Sequence, residues 1–438
     1  MAEQTAKLRI FGVSAKCFPF FLVKQFKLSN FAAKCGSRSL TSGKTASRKL
    51  SVMKILFLVY HGFSEVSGIS KKIRSQVKGL RENGHEVHLC YYDFSPEGHR
   101  CRFVDGQVLQ DYGSGRLAAI RQRLSYGCVY RYCVRQGIDM VYARCFQNAS
   151  PWLIALFRRM QQAGIRAVTE IPTYPYDQEF SNFPYLSGRL SLLVDKRFRR
   201  QLYRHNDAIV TFSDEKEIFG QRTIRISNGV DMDSIRLNPT PGDEDLQTLH
   251  LIGVAEVHYW HGYDRLIAGL GDYYLHGGER DVCFHIVGGV AEGEMEGSSH
   301  APGFRPLIER YGLQQRVVFH GQLFGAELDQ VFAQCRFAVG SLGRHRSGIT
   351  VIKTLKNREY ATRGLPFIYS EQDSDFDRQP YVLKAPADES PIDIERLLTF
   401  ADTRRFVPAD IRRTVEHLSW RSQMQKVVEE MQTHNTTP

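Results

Sequence analysis

The chain has 438 residues, a formal net charge of +11 at pH 7 and 24% charged residues. This length exceeds what one compact core accommodates, so two domains of ordinary size are expected, with the composition of a soluble globular protein. No apolar run is long enough to span a membrane. The nine cysteines show neither C-x-x-C nor any other metal-type spacing, which indicates reduced structural thiols and predicts no metal site.

The charge is distributed unevenly along the chain. Residues 1–52 carry a net charge of +9, residues 53–237 carry another +9, and residues 238–438 carry −7. A basic first half is typical of proteins that face anionic lipid or an anionic acceptor, although a merely solvated basic surface explains it equally well. No basic run is interleaved with aromatic residues, so we expect no nucleic-acid partner.

The segment 1–52 is rich in Lys and Ser and contains one acid, Glu3, so it is predicted to be an extension outside the fold. Targeting segments have such a composition. The alternative is a start codon placed too far upstream. We favour this alternative because Met53 immediately precedes a clean strand pattern.

Residues 53–236 are predicted to form a first α/β domain. Helical periodicity predicts helices near Ile69–Leu80, Pro151–Ala163 and Leu190–Tyr203. The turn before the first helix lacks the G-x-G-x-x-G motif, so a dinucleotide site is only weakly supported. Ser67 and Gly68 in this turn would nevertheless let the backbone approach a phosphate. Apolar runs typical of parallel strands are Lys54–Tyr60, Glu86–Tyr92, Asp139–Cys145, Arg166–Ile171, Ala208–Phe212 and Thr223–Ile226.

A polar segment follows the strand Arg166–Ile171. Two prolines within four residues exclude a helix or a central strand, so this segment is a loop at the carboxyl end of a strand. Ligands bind at that edge of open α/β sheets. Glu170 is therefore a candidate catalytic or acceptor-positioning acid, and Tyr174, Tyr176 and Asp177 are candidate acceptor contacts.

The linker 237–245 precedes a second α/β domain, predicted over residues 246–405. A helix over 406–438 is expected to return to the first domain, with a bend near Ser419 and Trp420. The predicted strands of the second domain are Thr248–Val254, Val282–Val287, Val317–His320, Phe337–Ser341 and Pro366–Ser370. The predicted helices of this part are His261–Leu270, Phe304–Tyr311, Ala326–Gln334, Ile392–Phe400 and Pro408–Met431.

The stretch Ser347–Phe367 is the strongest candidate for a phosphate site. It begins as a Gly/Ser/basic loop, becomes a helix from about Leu355 and stops at Gly364, a typical C-cap. A loop that leads into a helix N-terminus presents free N–H groups and a positive dipole end to phosphate. Glu359 is predicted to be buried in this helix and to need a partner.

Several cations could neutralise a phosphate without a metal. Each also has a structural interpretation: capping or packing, pairing with an acid, or solvation. Three Asp-x-Asp triplets, at 231–233, 243–245 and 373–375, are attributed to chance because no strand precedes them as a metal site requires. The candidate cations are His261 at a helix start, Arg265 one turn later, Lys356, Arg358 and the loop Arg344-His345-Arg346.

Four motifs follow one another along the chain: Ile226–Asp231, His261–Ile267, Val287–Gly289 and Arg358–Pro366. Together they resemble the family 4 (group 1) glycosyltransferases, and the resemblance extends from about Met53 to the C-terminus. Glu170–Asp177 further resembles a bacterial branch that builds capsule, exopolysaccharide or other surface glycans. The resemblance implies two Rossmann-like domains facing a cleft, the GT-B fold, with the C-terminal helices packed on the N-terminal lobe.

The same resemblance implies transfer of a sugar from a UDP- or GDP-sugar co-substrate to a glycan or lipid-linked acceptor, usually with retention. It implies no tightly bound cofactor and no metal. Gly288, Gly289 and Glu359 would contact the donor. The enzyme would be cytoplasmic, with a peripheral position at the inner face of the plasma membrane.

The sequence departs from the family pattern in the expected donor and acceptor contacts. Val351 stands where a second donor-contacting glutamate is usual, and Ala255 and His261 stand where an arginine and a lysine are usual. A histidine familiar on the N-terminal side is replaced by Thr169-Glu170. Two other functions therefore stay open: a nucleotide-sugar epimerase on the same fold, and a sugar-nucleotide-binding or scaffold protein without catalysis.

Overall fold

The computed structural model describes residues 51–64, 67–144, 149–177, 186–240 and 247–433, without the side chains of 186–189. The predicted N-terminal extension and most of the predicted linker lie outside these residues. Two β-sheets organise the described chain, one of nine strands and one of six, and helices cover both faces of each. The prediction of two doubly wound α/β domains is confirmed.

The first sheet is built around the apolar strand Lys54–Leu58, which is flanked by parallel strands on both sides. Its order is β4-β3-β2-β1-β5-β6-β7-β9-β8. The strands are β1 Lys54–Leu58, β2 Glu86–Phe94, β3 Arg100–Val104, β4 Gln107–Asp111, β5 Met140–Arg144, β6 Arg166–Ile171, β7 Ala208–Thr211, β8 Glu217–Ile218 and β9 Gln221–Arg225.

Local sequence explains where the helices of the first half begin. Ser67 and Ser150 each accept a hydrogen bond from a first-turn N–H, and Pro151 occupies a position where no N–H is needed. The helices are α1 Gly68–Glu82, α2 Gly115–Leu124, α3 Gly127–Gln136, α4 Pro151–Gln162 and α5 Leu186–Tyr203.

The second sheet is wholly parallel, in the order β12-β11-β10-β13-β14-β15. Its strands are β10 Thr248–Val254, β11 Asp281–Val287, β12 Val317–Gly321, β13 Phe337–Val339, β14 Phe367–Tyr369 and β15 Val382–Lys384. Its helices are α6 Tyr263–Leu275, α7 Glu292–Glu296, α8 Phe304–Tyr311, α9 Gly325–Gln334, α10 Leu355–Arg363, α11 Ile394–Thr403 and α12 Pro408–Thr414.

The last helix, α13 (Trp420–Thr433), leaves the second domain and packs on α1 of the first. Two glycines allow this contact. A Cβ at Gly79 would lie 2.8 Å from the Trp420 backbone, and a Cβ at Gly229 would lie 2.5 Å from the Trp420 ring. The predicted return of the C-terminal helices to the N-terminal lobe is confirmed.

Some elements differ from the sequence-based expectation. The predicted single helix over 408–431 is divided by a turn of 3-10 helix, Glu416–Leu418, near the expected bend. The hairpin β3–β4, the helices α2 and α3 and the strand β15 were not predicted. β4 has no buried residue and β15 has only three residues, so neither carries the extended pattern on which strand prediction depends.

Candidate active site

Each sheet reverses its strand order at one point. In the first sheet the reversal lies between β1 and β5, and in the second between β10 and β13. The crevice at the carboxyl ends of strands at such a point is where open α/β sheets bind ligands. Polar side chains gather at both points, so we describe the site as a second-domain side and a first-domain side.

The second-domain side contains a cluster of buried polar side chains that make no hydrogen bond to the described residues. The cluster lies where β10, β13 and β14 end and α10 begins. Buried polar atoms are nearly always paired, so such a group indicates a place for a polar ligand or water. The unpaired atoms are Tyr263 Oη, Ser341 Oγ, Thr354 Oγ1, Lys356 Nζ, the Asn357 amide and both carboxylate oxygens of Glu371. We call this set the donor-side cluster.

Lys356 and Glu371 carry the charge of the donor-side cluster. Burial lowers the pKa of Lys356, and the nearby Arg344 lowers it further. Burial raises the pKa of Glu371, against the attraction of Lys356 and Arg344. The ring centroid of Tyr263 lies 5.9 Å from Lys356 Nζ. An anionic ligand here would favour the charged ammonium that burial disfavours.

His261 lies beside this cluster at the end of a 3-10 turn, Tyr259–His261, just before α6. Its Nδ1 accepts a hydrogen bond from the backbone N–H of His258 (2.9 Å), which leaves the proton on Nε2. Burial and the charges of Lys356 and Arg344 hold the pKa of His261 well below its usual value. His261 is thus a neutral hydrogen-bond donor, and the expectation of a positively charged histidine is corrected.

Arg265 and Arg358 were predicted to bind phosphate, but both are buried in protein contacts. Arg265 donates to the carbonyl oxygens of Ser390 (2.8 Å), Leu342 and Pro386 and thereby fixes a loop. Arg358 donates to Asp373 Oδ2 (2.7 Å) and to Ser227 Oγ (2.7 Å), and it pairs with Asp375. The structure supports the alternative interpretation, pairing with structural acids, and Arg358 ties the end of the first domain to the second.

Glu359 is not the buried carboxylate that was predicted. Its side chain is 31% exposed and pairs with Arg363, four residues later, at 2.9 Å. Arg363 in turn contacts Asp329 of α9 at 2.6 Å. The burial prediction failed because one face of α10 turns outward, and the i,i+4 spacing of the two charges indicated that pairing.

Gly288 and Gly289 lie at the carboxyl end of β11, as predicted. Gly288 has φ +127°, and a Cβ there would lie 1.7 Å from the carbonyl oxygen of Ala255. The backbone N–H of Val257 donates to the carbonyl oxygen of Gly289 at 2.7 Å. The glycines therefore bring the loop after β10 against the end of β11, at the edge that borders the cluster.

On the first-domain side, Glu170 is fully buried at the end of β6. Its Oε2 accepts from Gln76 and from the Tyr142 hydroxyl, each at 2.6 Å, and its Oε1 accepts from Arg144 Nε at 3.1 Å. Although burial favours the neutral acid, Lys72 and Arg144 hold the pKa of Glu170 below its usual value. Glu170 is an ionised carboxylate with both oxygens engaged, so its geometry suits positioning its partners rather than accepting a substrate proton.

Lys72 connects the two sides. Its Nζ lies 3.6 Å from Glu170 Oε1 and donates to Asn228 Oδ1 at 2.8 Å, while the Asn228 amide donates to the carbonyl oxygen of Lys353 at 2.5 Å. Burial lowers the pKa of Lys72 to about 8, although Glu170 opposes the shift. A continuous polar path therefore runs from the edge of the first sheet to the loop before α10.

Ser67 caps α1 through a hydrogen bond from Ser70 N–H (3.3 Å), and the space beside Gly68 is open. One turn further, Lys71 Nζ lies 5.2 Å from the ring centroid of Phe324 in the second domain. The start of α1 therefore borders the second domain, where the sequence placed it.

The side chains of the loop after β6 make more contacts within the protein than predicted. Tyr176 is buried and donates to Asp195 at 2.7 Å, and Asp177 pairs with Arg199 at 2.6 Å. Tyr174 is partly buried and contacts the Phe219 ring edge-on at 5.6 Å. The Tyr176 and Asp177 side chains hold α5 against this loop. Tyr174 is partly exposed and the Asp177 side chain is 36% exposed, so both could still contact an acceptor.

The remaining sequence candidates also have protein partners. Arg346 donates to Asp264 Oδ2 at 2.7 Å and also binds Glu389. Two Asp-x-Asp triplets engage cations of the protein: Asp231 and Asp233 pair with Lys78, and Asp373 and Asp375 pair with Arg358. The third triplet lies outside the described residues.

Sequence reasoning missed most of the residues that the structure brings together at these two sides. Two signals were available. Lys72 and Gln76 are four apart on α1 and share a face, and Ser341 and Glu371 follow β13 and β14, where carboxyl ends meet. Arg144 ends β5 with its Nη1 3.5 Å from Nε2 of His61, which follows β1. The missed residues are His61, Lys72, Gln76, Arg144, Asn228, Ser341 and Glu371.

Comparison with known proteins gives a family match for part of the chain and matches to the whole fold. Residues 67–218 match the family model described as "Glycosyl transferase 4-like domain". A search of curated proteins finds no match. Among solved structures, sucrose-phosphate synthase from Thermosynechococcus elongatus matches with a TM-score of 0.56 and 14% identity, covering 87% of this chain and 99% of that one.

Two further structures show the same fold. The catalytic domain of starch synthase IV from Arabidopsis thaliana, bound to ADP and acarbose, matches with a TM-score of 0.52 and 12% identity over 88% of this chain and 99% of that one. WaaG, a glycosyltransferase involved in lipopolysaccharide biosynthesis, matches with a TM-score of 0.51 and 14% identity over 86% and 99%.

At these identities the structural likeness concerns the fold, which is the GT-B fold of two Rossmann-like domains. Residues 67–218 are therefore similar to the glycosyl transferase 4-like domain, within a chain that has the GT-B fold.

Proposed function

We propose that this glycosyltransferase moves a sugar from a UDP- or GDP-sugar to a glycan acceptor on a lipid carrier, in the synthesis of a bacterial surface polysaccharide. Residues 53–236 form the acceptor side and residues 246–405 the donor side. The reaction proceeds with retention and without a metal. The observation that carries the proposal is the donor-side cluster, whose buried polar atoms lack partners among the described residues.

On the donor side, Lys356 is the cation for the diphosphate. Its ammonium makes no hydrogen bond to the described residues, whereas Arg265 and Arg358 are committed to structural contacts. The His261 Nε2–H group is a second hydrogen-bond donor. Because it is neutral, it suits a phosphate that already accepts a hydrogen bond from the charged Lys356. Gly288 and Gly289 let the backbone approach the nucleotide, and Glu359, which is partly exposed, contacts the ribose.

Breaking the glycosidic bond to phosphate places negative charge on the departing nucleoside diphosphate. Lys356, His261 and the N-terminus of α10 stabilise that charge, which lowers the barrier without a metal. The bound starch synthase IV neighbour, which holds ADP and acarbose, supports a nucleotide-sugar site in this fold.

On the acceptor side, Glu170 holds Lys72 and Arg144 in place beside the cleft. Glu170 is a positioning residue in this mechanism. Lys72, whose pKa is lowered to about 8 by burial, is the side chain to which we assign proton transfer. Tyr174 and Asp177 border the acceptor, whereas Ser67 and Gly68 let the backbone of the first domain approach the donor phosphates. The relative involved in lipopolysaccharide biosynthesis supports a glycan acceptor.

A membrane position is supported by α5. Leu190 and Leu193 are each 64% exposed on this helix, and basic residues follow them at Lys196, Arg197 and Arg200. Apolar side chains next to Arg and Lys are what an anionic bilayer surface binds. Across the described part of the chain, no helix is both long and apolar enough to cross a membrane. The location that we propose, on the basis of α5, is the cytoplasmic face of the membrane.

The function is tested by incubating the purified protein with UDP- and GDP-sugars and lipid-linked acceptors, with and without EDTA. Transfer that survives EDTA supports the proposal, and the anomeric configuration of the product, read by NMR, tests retention. Nucleotide binding without transfer would favour a binding protein, and conversion of the sugar without an acceptor would favour an epimerase.

The membrane position is tested separately by co-sedimentation with phosphatidylglycerol vesicles and with phosphatidylcholine vesicles. The double variant Leu190→Glu, Leu193→Glu should lose binding to the anionic vesicles, whereas Val134→Glu, an exposed apolar position on α3, serves as the matched control. Equal sedimentation of wild type and double variant would remove α5 from the proposal.

A further inference from the structure

Three histidines form a row across neighbouring strands of the second sheet. His250 lies on β10, His285 on β11 and His320 on β12. His250 Nδ1 is 2.9 Å from His285 Nε2, and His285 Nδ1 is 2.9 Å from His320 Nε2. The three rings are thus connected by two short contacts between nitrogens.

Cys283 adds a sulfur to the row. It is the register partner of His250 on the adjacent strand, and it precedes His285 by two residues, so all three side chains project from the same face of the sheet. One ligand atom from each of His250, Cys283 and His285 lies within 4.8 Å of the other two.

Two imidazoles and one thiolate are a donor set that suits Zn²⁺. At the Zn–N distance of about 2.0–2.1 Å, two nitrogens of a tetrahedral site lie about 3.3 Å apart. His250 and His285 need only move apart by a few tenths of an ångström. Cys283 Sγ, which lies within 4.8 Å of both ligand nitrogens, has to approach them.

The contact between His285 and His320 also suits a metal site. A proton on His285 Nδ1, donated to His320 Nε2 at 2.9 Å, would leave His285 Nε2 as the ligand atom, which is how an outer partner orients a metal-bound histidine.

We propose that His250, Cys283 and His285 bind one Zn²⁺ ion, with His320 as a positioning residue that orients His285. The site lies within the sheet, with His250 four residues before the end of β10, or about 13 Å from the carboxyl edge. The ion is therefore separate from the donor-side cluster and cross-links β10 to β11, which stabilises the second domain.

The test is a titration of the full-length protein, without an affinity tag and after removal of metal, with Co²⁺ as a spectroscopic substitute for Zn²⁺. We expect one Co²⁺ per chain and the thiolate-to-cobalt charge-transfer absorption. Cys283→Ser should abolish that absorption, and His250→Gln should weaken binding at least about tenfold. His320→Gln should keep the absorption and weaken binding by about 10- to 100-fold, as the loss of an outer partner does.

His276→Gln is the matched control, because His276 is an exposed histidine that contacts the Asp272 carbonyl instead. It should bind Co²⁺ as the wild type does. Zn²⁺ should raise the Tm of the wild type and of this control but not of Cys283→Ser or His250→Gln. The proposal is overturned if the folded wild type shows no saturable binding, or if the absorption persists in Cys283→Ser. Far-UV circular dichroism establishes that each variant is folded.

Discussion

Replacing Lys356 with methionine isolates the charge that the proposed donor site depends on. Methionine keeps most of the volume of lysine but cannot bind phosphate. Lys356 Nζ makes no hydrogen bond to the described residues, so the substitution breaks no such bond of the free protein. A hydrogen bond to a charged group contributes about 1.5–3 kcal/mol. That free energy corresponds to a nucleoside diphosphate Kd that is weaker by about 10- to 150-fold.

The same variant should not lose stability. Burial lowers the pKa of Lys356, so the native state disfavours the ammonium, and its removal should leave the Tm unchanged or raise it. Weaker binding without a lower Tm separates a ligand-binding role from damage to the fold. Isothermal titration calorimetry with UDP and GDP, together with thermal unfolding, measures both quantities.

Lys353→Met is the matched control, since it removes an equal charge three residues earlier, where the ammonium pairs with Asp214 at 3.3 Å. Its nucleotide Kd should stay close to that of the wild type. The reasoning is refuted if Lys356→Met binds UDP and GDP as tightly as the wild type, or if both lysine variants lose affinity equally.

Three other perturbations follow from the same contacts. Arg358→Met leaves Asp373 buried without its partner, so thermal or urea unfolding should show a loss of about 3–5 kcal/mol. Glu170→Gln removes the charge that holds Lys72, so the rate of sugar transfer should fall at least tenfold while the nucleotide Kd stays unchanged. Burial lowers the pKa of Lys356 and a bound diphosphate should raise it again, so nucleotide binding should take up a proton at alkaline pH and affinity should fall as pH rises. Calorimetry in buffers of different ionisation enthalpy measures that uptake.

Each of these outcomes has a control or a contrary result. Arg378→Met, on the same segment as Asp373, changes an exposed arginine and should cost little. Equal stability of Arg358→Met and Arg378→Met would show that the buried pair contributes nothing. A weaker nucleotide Kd in Glu170→Gln would place Glu170 on the donor side. Identical proton uptake in Lys356→Met and wild type would assign the titration to another group.

The amino-acid sequence by itself determined the class of fold. Continuous apolar runs such as Lys54–Leu58 and helical periodicity such as that of α1 are local patterns, because each reflects how one element is buried. Their alternation in two halves predicted two parallel sheets. The ordered motifs likewise pointed to a glycosyltransferase before any contact was known.

Only the tertiary structure decided which charges are available to a ligand. Arg358, Glu359 and Lys356 are near neighbours on one short helix. Yet Arg358 forms a buried ion pair, Glu359 forms a partly exposed ion pair, and the Lys356 ammonium makes no hydrogen bond to the described residues. The partner of each side chain depends on which other segments pack nearby and on the face of the helix to which that side chain turns. A single sequence does not encode these distances locally.

The same reason explains the metal proposal. Sequence spacing predicted no metal site, because His250 and Cys283 are separated by 33 residues. Parallel pairing of β10 with β11 makes them register partners. A crossover helix separates parallel neighbours in sequence, so ligands on adjacent strands leave no short motif, and strand register alone brings them together.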